Sequence, residues 1–150
     1  MARYVNSLQF AKSPEELFDF MADFSNAPEW DPATSVGEKL TPGPVDLGSK
    51  TRIVTRFAGR DVDLTYEVVE YDRPRKVVVR AEKNGTVAED TLSVAPVEGG
   101  SELTYDAEVQ LRGLAKLADP LINLQFQKIG GEASEGLRKT LGPPPEKPAT

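Results

Sequence analysis

Cysteine and histidine are both absent from the 150 residues, and tryptophan occurs once. Without thiols there are no disulfides and no thiolate ligands or nucleophiles, and without imidazole the usual general base near neutral pH is missing. No cofactor and no metal are expected with such a residue set. Basic charge is scarce as well: 18 Lys and Arg stand against 24 Asp and Glu, a net charge of −6. That balance repels phosphate backbones and anionic membrane surfaces, so nucleic acid is not an expected partner. No apolar run approaches the roughly 18 residues of a membrane span, and "MARYVNSLQF" lacks the basic start and apolar stretch of a signal peptide. Neither stable membrane insertion nor export is expected, and the chain reads as cytoplasmic.

What is present fits one water-soluble domain. The chain is 39% hydrophobic and 28% charged, too apolar for disorder and too polar for a membrane protein, and its length suits a single core. "RYVNSLQFA" (Arg3 to Ala11) alternates as a strand with one buried face. "SPEELFDFMADF" then carries Ser13 as N-cap, Pro14 at the first helical position, Glu16 three residues after the cap, and an apolar stripe of Leu17, Phe20, Met21 and Phe24. In "SNAPEW" Pro28 can open one helical turn, with Ser25 or Asn26 as its cap, and Pro32 stops it. The spacing of turn residues next predicts six strands: "TSVGEKL", two joined near Ala58, Gly59 and Arg60, "RPRKVVVRAE", "TVAEDTLSVAPV" and "SELTYDAEVQL".

A long helix is predicted from Gly113 to Leu141, with Ala118, Ile122, Phe126, Ile129, Ala133 and Leu137 at three- and four-residue spacing. Pro120 predicts a bend near its start. Gly130, Gly131 and Gly136 each cost about 1 kcal/mol against alanine. They read either as sites of close approach or room for a ligand, or as a frayed helix held by tertiary contacts. Residues 1–141 are expected to form the domain, and 142–150 a flexible proline-rich tail. The loop "GPVDLGSK" looks superficially like a phosphate cradle, but prolines break it and a strand follows instead of a helix. "RDVD" and "EYDRP" lack the spacing of a calcium loop.

The segments "SPEELFDFMADFSNAPEWDP", "YEVVEYDRPRKVVVRA" and "DTLSVAPVEGGSELTYDAEVQLRG", with the closing amphipathic helix, resemble the START-like superfamily, in particular its bacterial polyketide cyclase/dehydrase-like (SRPBCC) members. The resemblance covers nearly all of the chain up to Leu141. It implies an α+β helix-grip fold, a curved antiparallel sheet of about seven strands wrapped around the C-terminal helix, with an apolar cavity between them. It also implies that Trp30, in the short helix, borders the cavity mouth; the plainer alternative is that Trp30 staples that helix to the sheet.

Side-chain parity sorts the candidate ligand contacts. Leu103, Tyr105, Ala107, Val109 and Leu111 share one face of the last strand. Val62, Leu64, Tyr66 and Val68 face inward on theirs, as do Val77, Val79 and Ala81. Asp90 shares parity with Ala88, Leu92 and Val94 and points inward unless a bulge intervenes; Arg56 or Arg80 would reach it only in another register. Leu117, Leu121 and Leu124 form a second helical stripe, from which Leu117 and Leu121 join the candidates. Ile53, Thr55 and Phe57 alternate with Arg52, Val54 and Arg56 without a clear inner side.

Three functions remain open at this stage. The first is a non-enzymatic binder of a small hydrophobic or aromatic, lipid- or polyketide-like molecule. The second is an enzyme resembling aromatase/cyclases with Asp90 as acid or base, and the third a protein-interaction module with a filled core. The fold alone does not choose among them.

Overall fold

The computed structural model describes residues 2–57, 59–111 and 119–146. Strand β1 (Ala2–Phe10) leads to helix α1 (Pro14–Ala22), a single 3-10 turn (Phe24–Asn26) and the four-residue helix α2 (Ala27–Trp30). Six strands follow: β2 (Thr34–Lys39), β3 (Lys50–Phe57), β4 (Arg60–Asp72), β5 (Lys76–Lys83), β6 (Thr86–Val97) and β7 (Gly100–Leu111). Helix α3 (Asp119–Leu141) closes the fold. The seven strands form one antiparallel sheet in the order β1-β7-β6-β5-β4-β3-β2, curled around α3 in the helix-grip arrangement that the resemblance implies.

Short connections enforce this topology. At the β5–β6 hairpin Asn84 and Gly85 have φ of 50° and 82°, the left-handed pair a two-residue turn needs to match strand twist. Strand β1 returns to the far edge by pairing with β7, Ala2 opposite Val109 and Phe10 opposite Ser101.

Helix α1 starts where its cap chemistry dictates. Ser13 Oγ accepts from the Glu16 backbone N–H at 3.2 Å, with Pro14 in the first turn, which satisfies one of the orphan donors of the helix end. Its buried face is Leu17, Phe18, Met21 and Ala22, so Phe18 goes deeper than the expected Phe20, its ring 5.6 Å from that of Tyr71. Phe24 is buried too, but in the 3-10 turn. That turn is capped by Asp23, whose carboxylate accepts from the Ser25 backbone and hydroxyl. Asn26 precedes α2 without a side-chain cap bond and instead donates to the Phe20 carbonyl at 3.1 Å.

Helix α3 runs unbroken through all three glycines, and two of them make close approach possible. A Cβ on Gly130 would overlap the Tyr4 ring, and one on Gly136 would overlap the carbonyl oxygen of Trp30; Gly131 has open space around it. Pro120 is the second of the described residues of α3. The expected helical stretch 113–118 and the bend beside it lie outside the described residues. After α3 the Pro143 carbonyl accepts from Ala11 at 3.2 Å, and Pro145 lies beside Gly99 and Gly100.

Candidate functional site

Parity places Asp90 inward, and the register keeps it there. It sits opposite Val79 on β5 and Ala107 on β7, and the shifts in strand pairing fall elsewhere, at Thr34/Val36 and Val68/Glu70. Its side chain is 7% exposed. Because Ala107 opposite is small, the carboxyl reaches the diagonal neighbour on the same face. Tyr105 donates its hydroxyl to Asp90 Oδ2 at 2.6 Å. Burial pushes the Asp90 carboxyl up to about 7, opposed by the Tyr105 hydrogen bond and reinforced by the nearby Asp31 carboxylate. Neither arginine weighed as a partner reaches it. Arg56 meets Asp61 at 3.4 Å, and Arg80 meets Glu82 and Glu89 at 3.3 and 3.9 Å.

Asp90 forms part of the wall of a pocket of about 110 Å³ between the sheet and α3. Trp30 contributes a second wall. The indole is 4% exposed and meets the Tyr105 ring nearly edge-on at 5.7 Å between centroids. It therefore both lines the pocket and anchors α2 to the sheet. Tyr66 packs its ring 5.3 Å from Phe24 and also lines the pocket. Burial, then Asp90 and Asp31, holds both tyrosine hydroxyls well above their ordinary value. Both stay protonated donors, and among the described residues no group accepts from Tyr66.

The residue after Trp30 completes the polar lining. Asp31 Oδ1 accepts from the Ala33 N–H at 3.0 Å, and Oδ2 from the Thr34 hydroxyl at 2.8 Å; Thr34 in turn lies 3.2 Å from the Thr55 hydroxyl. Burial raises the Asp31 carboxyl, those hydrogen bonds oppose the shift, and Glu132 on α3 adds to it. Across the pocket the Tyr4 hydroxyl meets Ser134 Oγ at 2.8 Å, and Asn6 donates to the same oxygen at 3.1 Å. A second chamber of about 180 Å³ shares Ile53, Thr55, Tyr66, Val109 and Phe126 with the first and is otherwise lined mainly by apolar side chains such as Phe57, Leu64 and Ile122.

Of the residues singled out from sequence, Trp30, Tyr66, Asp90, Tyr105 and Ala107 come together in this pocket. Val68, Val79 and Leu92 do not line it. They are buried in the main core cluster with Leu17 and Phe18 of α1, and α1 packs on β6, the strand that carries Leu92, and on β7. Leu117 lies outside the described residues, as does the side chain of Leu121. Ile53, Thr55 and Phe57, whose strand had no clear inner side, face the two chambers. Asp31 and Thr34 were not singled out at all; the one available sign was an acid wedged between Trp30 and Pro32.

The arrangement supplies two carboxyls, hydroxyl donors and aromatic walls. Among the described residues that line either chamber there is no Lys or Arg, and no acidic group of three forms a metal site. No helix among the described residues is long and apolar enough to cross a membrane.

Comparison with known proteins places this geometry among relatives. A family model described as polyketide cyclase / dehydrase and lipid transport matches residues 1–142. An uncharacterised protein of Mycobacterium tuberculosis is 27% identical over 128 residues, 85% of this chain and 87% of its own. Among solved structures, a START superfamily protein from Mycobacterium smegmatis superposes with a TM-score of 0.66 at 19% identity, covering 94% of each chain. A major latex-like protein of Panax ginseng gives 0.71 at 11% identity, covering 95% of this chain and 98% of its own. At these identities the structural likeness establishes the fold.

Proposed function

Since the chain belongs to the polyketide cyclase / dehydrase and lipid transport family, we propose that it binds a small hydrophobic or aromatic molecule between the sheet and α3. One observation carries the reading: Tyr66 and the Asp90–Tyr105 pair line an aromatic-walled pocket that shares five lining residues, Ile53, Thr55, Tyr66, Val109 and Phe126, with an apolar chamber. Small-molecule sites have this make-up, mostly apolar with a few placed polar groups that fix orientation. An apolar cavity of about 150 Å³ accommodates a benzene ring, so each chamber is of single-ring scale. Binding energy would come from apolar burial, roughly 25 cal/mol per Å².

Native mass spectrometry of the purified protein, followed by titration with flavonoids, aromatic polyketides and fatty acids, tests this. The single tryptophan lines the site, so its fluorescence reports there alone. A co-purified mass or a saturable fluorescence change, with NMR shifts at Tyr66 and Tyr105, is the expected result. No bound mass and no saturable change with any of the three classes would reject the reading in favour of a role at the surface.

A second reading has its own support. A carboxyl held near 7 in a pocket, hydrogen-bonded to a tyrosine, suits a general acid or base for enolisation or dehydration of a folded poly-ketone. Turnover of such a chain, abolished in a folded Asp90→Asn variant, would establish an enzyme of the cyclase type.

A further inference from the structure

Among the described residues, arginine meets aspartate only at the surface. Asp19, Asp61, Asp63, Asp72 and Asp106 each take an arginine at the surface. The two aspartates that line the pocket take none among the described residues. Asp31 is held by a hydroxyl and a backbone N–H. Asp90, more than nine-tenths buried, has the Tyr105 hydroxyl on one oxygen and no donor from the described residues on the other. A buried carboxylate without a cation is costly, and the pocket that holds this one is walled by Trp30, Tyr66 and Tyr105. Aromatic faces beside anions attract organic cations.

Building on the pocket reading above, we propose that the ligand is an arylalkyl amine, its ammonium end at Asp90 in the field of Asp31 and its aryl body in the apolar chamber beyond Tyr66. The same charges repel a carboxylate ligand, which places fatty acids and aryl acids outside the preferred class. A neutral alcohol or phenol of the same skeleton gains the apolar burial but not the ion pair.

Calorimetric titration of the full chain with three matched single-ring probes, phenylethylamine, phenylethanol and phenylacetate, separates these terms. Near pH 8 the amine is expected to bind at least about tenfold more tightly than the alcohol, and the acetate not measurably. Asp90→Asn is expected to abolish the advantage of the amine, so that amine and alcohol bind the variant equally. Should that variant fail to fold, the wild-type chain carries the same test. Amine affinity falls between about pH 8 and pH 5 as Asp90 gains its proton, and alcohol affinity does not. Tyr105 of β7 and Tyr66 of β4 face Asp90 and stay neutral throughout, while Asp31, beside Glu132 of α3, titrates in the same direction as Asp90. Equal binding of amine, alcohol and acetate overturns the amine assignment and leaves the pocket reading standing. Amine binding indifferent to both Asp90→Asn and pH places the amine on the acidic exterior and also overturns it. Saturable binding by none of the three removes both readings.

Discussion

Asp90 departs far from its ordinary chemistry, and the departure has a thermodynamic consequence. Its ordinary value is 3.8 and its folded value about 7. Across that window the folded chain holds a proton the unfolded chain has released, so stability falls as pH rises from about 4 to about 7 and is flat above. Asp31, also raised, has the same sign. Asp19 and Asp63, lowered by Arg73 and Arg52, have the opposite sign but act below the ordinary aspartate value. Asp90→Asn keeps an acceptor for the Tyr105 hydroxyl and removes the ionisation. Urea midpoints at pH 5 and pH 8 should therefore converge in the variant, which is expected to exceed wild type at pH 8 by roughly 2 kcal/mol. A wild-type stability that is level from pH 5 to pH 8 would mean that Asp90 ionises normally and that the pocket is wetter than its walls imply.

At the scale of elements, the position of α3 depends on two glycines that differ from a third. Gly136 abuts the Trp30 carbonyl, a backbone atom that cannot swing away, whereas Gly131 faces open space. Gly131→Ala is expected to stabilise by up to about 1 kcal/mol through helix propensity. Gly136→Ala is expected to cost about 1 to 3 kcal/mol as helix and α2 are forced apart, with a shifted Trp30 emission. Urea unfolding of both variants checks this, and equal stabilisation by the two would remove the close contact. The three glycines also show what the chain's pattern can convey. Their presence in a helix signalled a constraint, but which of them touches a neighbour depends on where Tyr4 and Trp30 arrive from other elements. Parity likewise identified the inward faces of Asp90, Tyr66 and Tyr105, because period-two alternation holds wherever no bulge interrupts it. It could not tell that Val68, Val79 and Leu92 join Leu17 and Phe18 of α1 in the core cluster instead of lining the pocket. Asp31 and Thr34 lie where α2 gives way to β2 after a proline, in a stretch with no period to read, so the second carboxyl emerged only from the folded chain.

For the molecule as a whole, the question is whether the space between sheet and α3 is a reserve for a ligand or ordinary slack in a core. In a filled core, enlarging a wall residue forces off-rotamer packing and costs 1 to 3 kcal/mol. Beside an open apolar chamber the same change covers bare surface and stabilises, about 0.8 kcal/mol per added CH₂. Ala88 suits the comparison, being 1% exposed to solvent, part of the wall of the second chamber, and on a strand where a β-branched residue is welcome. Ala88→Val is expected to raise stability by about 1 kcal/mol, a rise in Tm of roughly 2 to 4 °C for a chain of this size. The same variant should weaken binding of a phenylalkyl probe about tenfold, because the added methyls occupy the volume the aryl body would take. Stability and binding thus move in opposite directions only if the chamber is built to be occupied. Destabilisation by Ala88→Val, measured by thermal unfolding with binding unchanged, would instead mean that the wall is already packed and that any ligand is confined to the polar chamber around Asp90.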